Sequence, residues 1–214
     1  LTALNAFDGA ANIKSEAVSF DKYVLENADM GVNLNAGLLK VHRLKGTLFG
    51  GAISGNAAVR AAPGNGMEAA LSLHKMNLGP VIGAATGKSM VTGKMALDMD
   101  LASTGGSVAE MISRLSGNGA FALRRLNAGA NGKGSALAGA LDLVAGLNRL
   151  GGTLGGKKTV SGLADITGSF RIDRGVAKSE NLRLVSGIGE GGAKGSVDLP
   201  RWLIDIDGEV RLSQ

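Results

Sequence analysis

The chain has 214 residues, enough to bury a substantial core as one large or two small domains. Glycine supplies 35 of them, more than twice the usual share, while three prolines and no G-X-Y period exclude collagen and proline-rich disorder. Cysteine is absent, which excludes disulfides and thiolate metal sites, and the +5 net charge comes without basic runs or the interleaved aromatics of a nucleic-acid platform.

Residues 1–17 read as a frayed start holding one strand at 10–14. Val18, Phe20 and residues 23–25 predict a strand that breaks near Glu26-Asn27. Met30, Val32 and Leu34 alternate with Gly31, Asn33 and Asn35, and further runs follow at 38–44, 46–49 and 53–60. After the turn at 62–66, Met67, Ala69, Leu71 and Leu73 face one way while Glu68, Ser72 and His74 face the other. The pattern is a meander of strands five to nine residues long, joined by Gly/Asn turns. A helix is expected at 79–86, with Pro80 at its first position, an apolar stripe of Leu78, Val81, Ile82 and Ala85, and Gly87 as terminator.

The stretch 91–123 organises the rest. Met95, Leu97, Met99 and Leu101 alternate with polar Lys94, Asp98 and Asp100, so one strand face is apolar and the other wet. Ser107 and Glu110 have capping-box spacing, and Val108, Met111, Ile112 and Leu115 form a helical stripe ended by Gly117. A strand is expected at 120–124 and a loop at 124–134. A helix at 135–150 is weakened by Gly139 and Gly146, and a glycine-rich loop runs on to Lys158. Strands return at 163–172, 176–178, 182–186, 193–199 and 203–212. The expected fold is mainly β (α+β), a large curved antiparallel sheet of many short strands with two or three inserted helices.

Catalytic and cofactor motifs fail on context. The run from Gly83 to Ser89 resembles a phosphate-cradling loop, but it has three residues between its glycines and closes a helix instead of opening one. Gly187, Gly189 and Gly192 match G-x-G-x-x-G, yet a strand follows them, so no helix N-terminus faces a pyrophosphate. His42 and His74 have no carboxylate at metal-ligand spacing. The pairs Asp98/Asp100 and Asp205/Asp207 read as solvated strand faces. The expectation is a chain that is not an enzyme, with no cofactor, no metal and no nucleic-acid partner.

Residues 91–123, VTGKMALDMDL followed by GGSVAEMISRLSGNG, resemble the core of the C-terminal region of AsmA-family proteins. Gly168–Val176 (GSFRIDRGV), residues 182–184, residues 195–199 (GSVDL), Leu48-Phe49-Gly50-Gly51 and Ser54-Gly55 are similar to that family's strand-and-turn signatures, covering about 28–212. Leu126-Asn127 stands where the family often has an Asp-Gly turn.

The resemblance implies a Gram-negative envelope protein, inner-membrane anchored, with a periplasmic β-rich body that serves outer-membrane biogenesis. It also implies a curved sheet whose apolar groove takes acyl chains, as in bridge-like lipid-transfer proteins. The chain starts at Leu1 and has no apolar run near the ~20 residues of a membrane span. Residues 1–214 are therefore expected to form a single C-terminal domain of a longer protein whose anchor lies N-terminal to it. The groove candidates are Met67, Leu71, Leu73, Met95, Leu97, Met99 and Leu101, with phospholipid or another acyl-chain lipid as partner. Two alternatives stay open. The same residues could be an ordinary closed core, and the chain could be a periplasmic scaffold that contacts envelope proteins. Carbohydrate binding would rest on Trp202 and Tyr23 alone.

Overall fold

A computed structural model describes residues 8–21, 23–61, 65–87, 91–128, 163–187 and 189–212. Five strands come first: β1 (Gly9–Phe20), β2 (Tyr23–Asn35), β3 (Leu38–Leu48), β4 (Gly51–Arg60) and β5 (Gly66–Asn77). Helix α1 (Leu78–Thr86), β6 (Val91–Thr104), helix α2 (Val108–Ser113) and β7 (Ser116–Ala128) follow. The chain closes with β8 (Ala164–Asp173), β9 (Val176–Ser186), β10 (Gly189–Asp198) and β11 (Leu203–Leu212). The eleven strands of the described residues form one antiparallel sheet in sequence order, with β1 and β11 at its ends. The expected helix at 135–150 and the loop to Lys158 lie outside the described residues.

Residues directly opposite each other on antiparallel strands share a face. The register therefore runs Ile13, Met30, Leu44, Gly55, Leu71, Met99, Gly119 and Phe170 side by side across β1 to β8. One residue along, the row reads Lys14, Asp29, Lys45, Ser54, Ser72, Asp98, Ala120 and Ser169. Leu184, Gly191 and Val210 extend the apolar face over β9 to β11, and Arg183, Gly192 and Glu209 extend the polar one. The alternation seen within single strands is thus a property of the whole sheet.

The strands are longer than the sequence predicts, 10 to 14 residues each. The reason is the β-bulge. Asn27 takes a left-handed backbone (φ 50°) between the Glu26 and Asp29 pairs, so the chain passes through the expected break without leaving the sheet. Lys75 and Arg125 do the same in β5 and β7, and Gly93 sits at the corresponding shift in β6. In place of a frayed start stands the twelve-residue β1, and β7 runs through 124–128, where the sequence predicts a loop. The two runs at 176–178 and 182–186 are the single strand β9.

Several glycines of the apolar face sit against neighbouring backbone. A Cβ added on that face at Gly119, Gly55 or Gly191 would come within 2.5 Å or less of a neighbouring carbonyl oxygen. On the polar face, a Cβ at Gly192 would meet a single atom at 3.9 Å and one at Gly66 nothing within 4 Å. At these three apolar-face positions glycine stands where a side chain would have no room.

Both rims are tied together by their turns. Along the rim holding the β2–β3 turn, Ala61 N–H donates to Gly37 O and Gly105 N–H to Asn65 O. Further along it, Gly175 N–H donates to Leu115 O and Leu199 N–H to Gly175 O. On the opposite rim Asn77 N–H donates to Phe49 O, and the Phe49 ring meets Tyr23 edge-on at 5.9 Å.

Candidate functional site

The two helices sit at opposite ends of β6, and both lie on the apolar face. Leu78 and Ile82 of α1 pack with Val91, Leu126, Ala164 and Ile166, all buried, and Met95, Phe121, Leu123 and Leu184 close around them. Gly87 ends α1 with a left-handed backbone, its N–H donating to Gly83 O at 2.9 Å. The described part of that run, Gly83 to Gly87, is thus a helix terminus. At the other end Ser103, opposite Met67 on the apolar face, donates its hydroxyl to Met111 O at 2.6 Å and holds α2 down.

Helix α2 is shorter than expected, six residues ending at Ser113, and Gly117 lies inside β7. Ser107 caps it as predicted, its Oγ accepting from Glu110 N–H at 3.2 Å. The Glu110 carboxylate reaches one residue further back than a capping box requires, accepting from Gly106 N–H at 2.8 Å.

The seven candidate residues occupy two neighbouring strands on this one face. Leu73 lies opposite Leu97, Leu71 opposite Met99, Ala69 opposite Leu101, and Met67 opposite Ser103. Met95 lies opposite the buried Met76 and packs into the α1 cluster. Leu71, Leu73, Leu97, Met99 and Leu101 fall between the helices and are half-buried. Among the described residues the two helices are the only elements outside the sheet, and the buried cluster around α1 does not include these five.

The strip continues sideways through residues absent from the sequence-based candidates: Ile53 on one flank, Phe121 and Phe170 on the other. Beyond them Ile166, Leu182, Leu184, Ala193, Ile206 and Val210 line an apolar cleft of about 50 Å³. Each of these residues alternates within its own strand. The signal the sequence lacks is the register that sets them beside Leu97 and Met99.

The polar face brings Ser72, His74 and Asp98 together. Ser72 Oγ donates to Asp98 Oδ1 and lies 2.8 Å from His74 Nε2, while His74 and Asp98 are 3.8 Å apart. Here the hydroxyl stands between imidazole and carboxylate, whereas in a nucleophile triad the imidazole stands in the middle. Asp100, Asp205 and Asp207 are exposed on the same face, and His42 is exposed beside Gly31. Gly187 ends the strand before the β9–β10 turn, and Gly189 to Gly192 lie in β10, so no helix follows the G-x-G-x-x-G run. Among the described residues no group of three metal-ligating side chains occurs, and no helix is long and apolar enough to cross a membrane.

The family model of AsmA matches residues 3–182, from ahead of β1 into β9. The chain belongs to the AsmA family. Neither a curated protein nor a solved structure matches it significantly. Membership of the AsmA family is consistent with envelope biogenesis, and the one-sheet, β-rich fold agrees with the expectation drawn from the resemblance.

Proposed function

We propose that this AsmA-family chain is a non-enzymatic, periplasmic module that carries phospholipid acyl chains along its apolar face between inner and outer membrane. The same reading places an inner-membrane anchor N-terminal to it in the full-length protein. One observation carries the reading: an apolar strip, with Leu71, Leu73, Leu97, Met99 and Leu101 on its floor, has a helix at each end and, among the described residues, no layer above it. A monomer that leaves so broad an apolar face to water loses hydrophobic stabilisation at roughly 25 cal/mol per Å². An acyl chain laid on it recovers about 0.8 kcal/mol for each CH₂ it buries. Met99 suits such a ligand, because an unbranched, polarisable side chain adapts to chains of irregular outline. The half-exposure of the strip supports a groove over a closed core.

Native mass spectrometry of the purified chain, with lipid extraction alongside, tests the reading. Phospholipid should co-purify at a stoichiometric ratio and be lost on Leu97→Asp or Met99→Asp, with the far-ultraviolet circular dichroism unchanged. A lipid-free monomer that takes up no added phospholipid would count against it. That outcome would favour a scaffold role instead, for which β1 and β11, each paired on one side only among the described residues, offer edges.

A further inference from the structure

Four exposed apolar side chains gather on one rim of the sheet, at turns adjacent in space but far apart in sequence. Val108 of α2 is 75% exposed and Ile112 37%, while Trp202 and Leu203 at the β10–β11 turn are 71% and 60% exposed. Gly175 of the β8–β9 turn joins the two groups. Its N–H donates to Leu115 O, its carbonyl accepts from Leu199 N–H, and a Cβ there would lie 2.6 Å from Ile112 O and 3.0 Å from Pro200 Cδ. The backbone network that ties these turns also holds the four apolar tips on one edge.

Ion pairs surround the tips. Arg114, Arg174 and Arg201 are all exposed on the same turns. Their acidic neighbours are engaged locally. Glu110 accepts from Gly106 N–H and pairs with Arg114 at 2.6 Å, Asp198 accepts from Arg201 N–H, and Asp173 stands 3.6 Å from Arg174. Further along the rim, Lys40, Arg60 and Arg114 line an open hollow of about 420 Å³ with Glu68 and Ser116. Lys40 and Arg60 have no ion pair among the described residues.

We propose that this rim docks on the surface of an anionic phospholipid bilayer, with Trp202, Leu203, Val108 and Ile112 at headgroup depth and the unpaired Lys40 and Arg60 on the phosphates. Tryptophan and arginine suit that boundary because each has an apolar body and a polar tip. A protein partner would bury a broad flat area, whereas four tips on a narrow edge fit a fluid surface that closes around them. The unpaired heads of Lys40 and Arg60 supply the complementarity to negative headgroups. This inference goes beyond the groove reading and survives its failure.

Trp202 is the single tryptophan, so its emission reports on this rim alone. Vesicles of equal parts phosphatidylcholine and phosphatidylglycerol should shift the emission to the blue, and brominated acyl chains should quench it. Leu203→Asp combined with Val108→Asp should weaken vesicle partition at least tenfold, and Lys40→Glu with Arg60→Glu should remove the preference for phosphatidylglycerol. Thr92→Ala, exposed at the α1 end of β6 and away from this rim, should leave vesicle binding intact. Emission unchanged by vesicles would overturn the proposal, as would partition indifferent to Leu203→Asp with Val108→Asp. A blue shift that grows with protein concentration and needs no vesicles would also overturn it, assigning the rim to contact between copies of the chain.

Discussion

Phe170 lays its ring over the bare backbone of Gly119, the residue directly opposite it on β7. A Cβ on Gly119 would sit 2.5 Å from the tip of that ring and 2.5 Å from Asp98 O. Further along the same pair of strands the arrangement is reversed, with Phe121 facing Gly168. Large residues set against glycines let the apolar face pack without its side chains colliding. Gly119→Val should lower stability by about 2 kcal/mol through overpacking and backbone displacement. Gly192→Ala, on the open polar face, should stay within about 0.5 kcal/mol of the parent. Urea midpoints of the two variants check the contrast, and equal losses would mean that the two faces are equally crowded.

The short helix α2 depends on its cap. With six residues it forms little internal ladder, and Ser107 Oγ satisfies one of its first amides while Ser103 anchors Met111 from beneath. Ser107→Ala should cost about 1 kcal/mol. Amide exchange should then accelerate at Glu110 before it does in β6.

The two faces, α1, the start of α2 and the strand β11 were legible because each depends on neighbours a few residues apart. Strand length was not. Asn27 in a left-handed bulge and Gly46 inside β3 carry the same local signature as a turn, and only the pairing on either side tells them apart. The candidate site was legible in the same measure. Alternation placed Leu97, Met99 and Leu101 on one face, but the partners across the ladder, such as Phe121 opposite Leu97, depend on long-range register. Nor does the pattern around Met95 distinguish it from Met99, although α1 packs against the first and leaves the second uncovered.

Lys75 holds a left-handed backbone (φ 56°) at the β5 bulge, a conformation that costs a residue with a Cβ roughly 1 kcal/mol. Its side chain is exposed, so little else depends on it. Lys75→Gly should therefore stabilise the fold by up to about 1 kcal/mol, less the glycine's own chain entropy, and raise the midpoint of thermal unfolding. The same change at Lys45, within regular β3, should lower it.

Asp165 ties β7 to β8 at the next bulge. Burial pushes its carboxyl up, but the Arg125 amide, donating to Oδ1 at 2.8 Å, and the Arg124 guanidinium, 2.9 Å from Oδ2, outweigh this and hold it below the usual carboxylate range. A depressed folded-state value means that the unfolded chain takes up the proton first as pH falls. The stabilisation is then fully present above the unfolded value, near about pH 4, and is lost as the pH drops through the folded value. Asp165→Asn should lower the urea midpoint at neutral pH, and the gap between variant and parent should close on acidification below about pH 4. Because Asp165 is partly exposed, added salt should narrow the gap as well. A gap of constant size across the acid range would mean that the loss comes from packing at this position and not from the charge of the carboxylate.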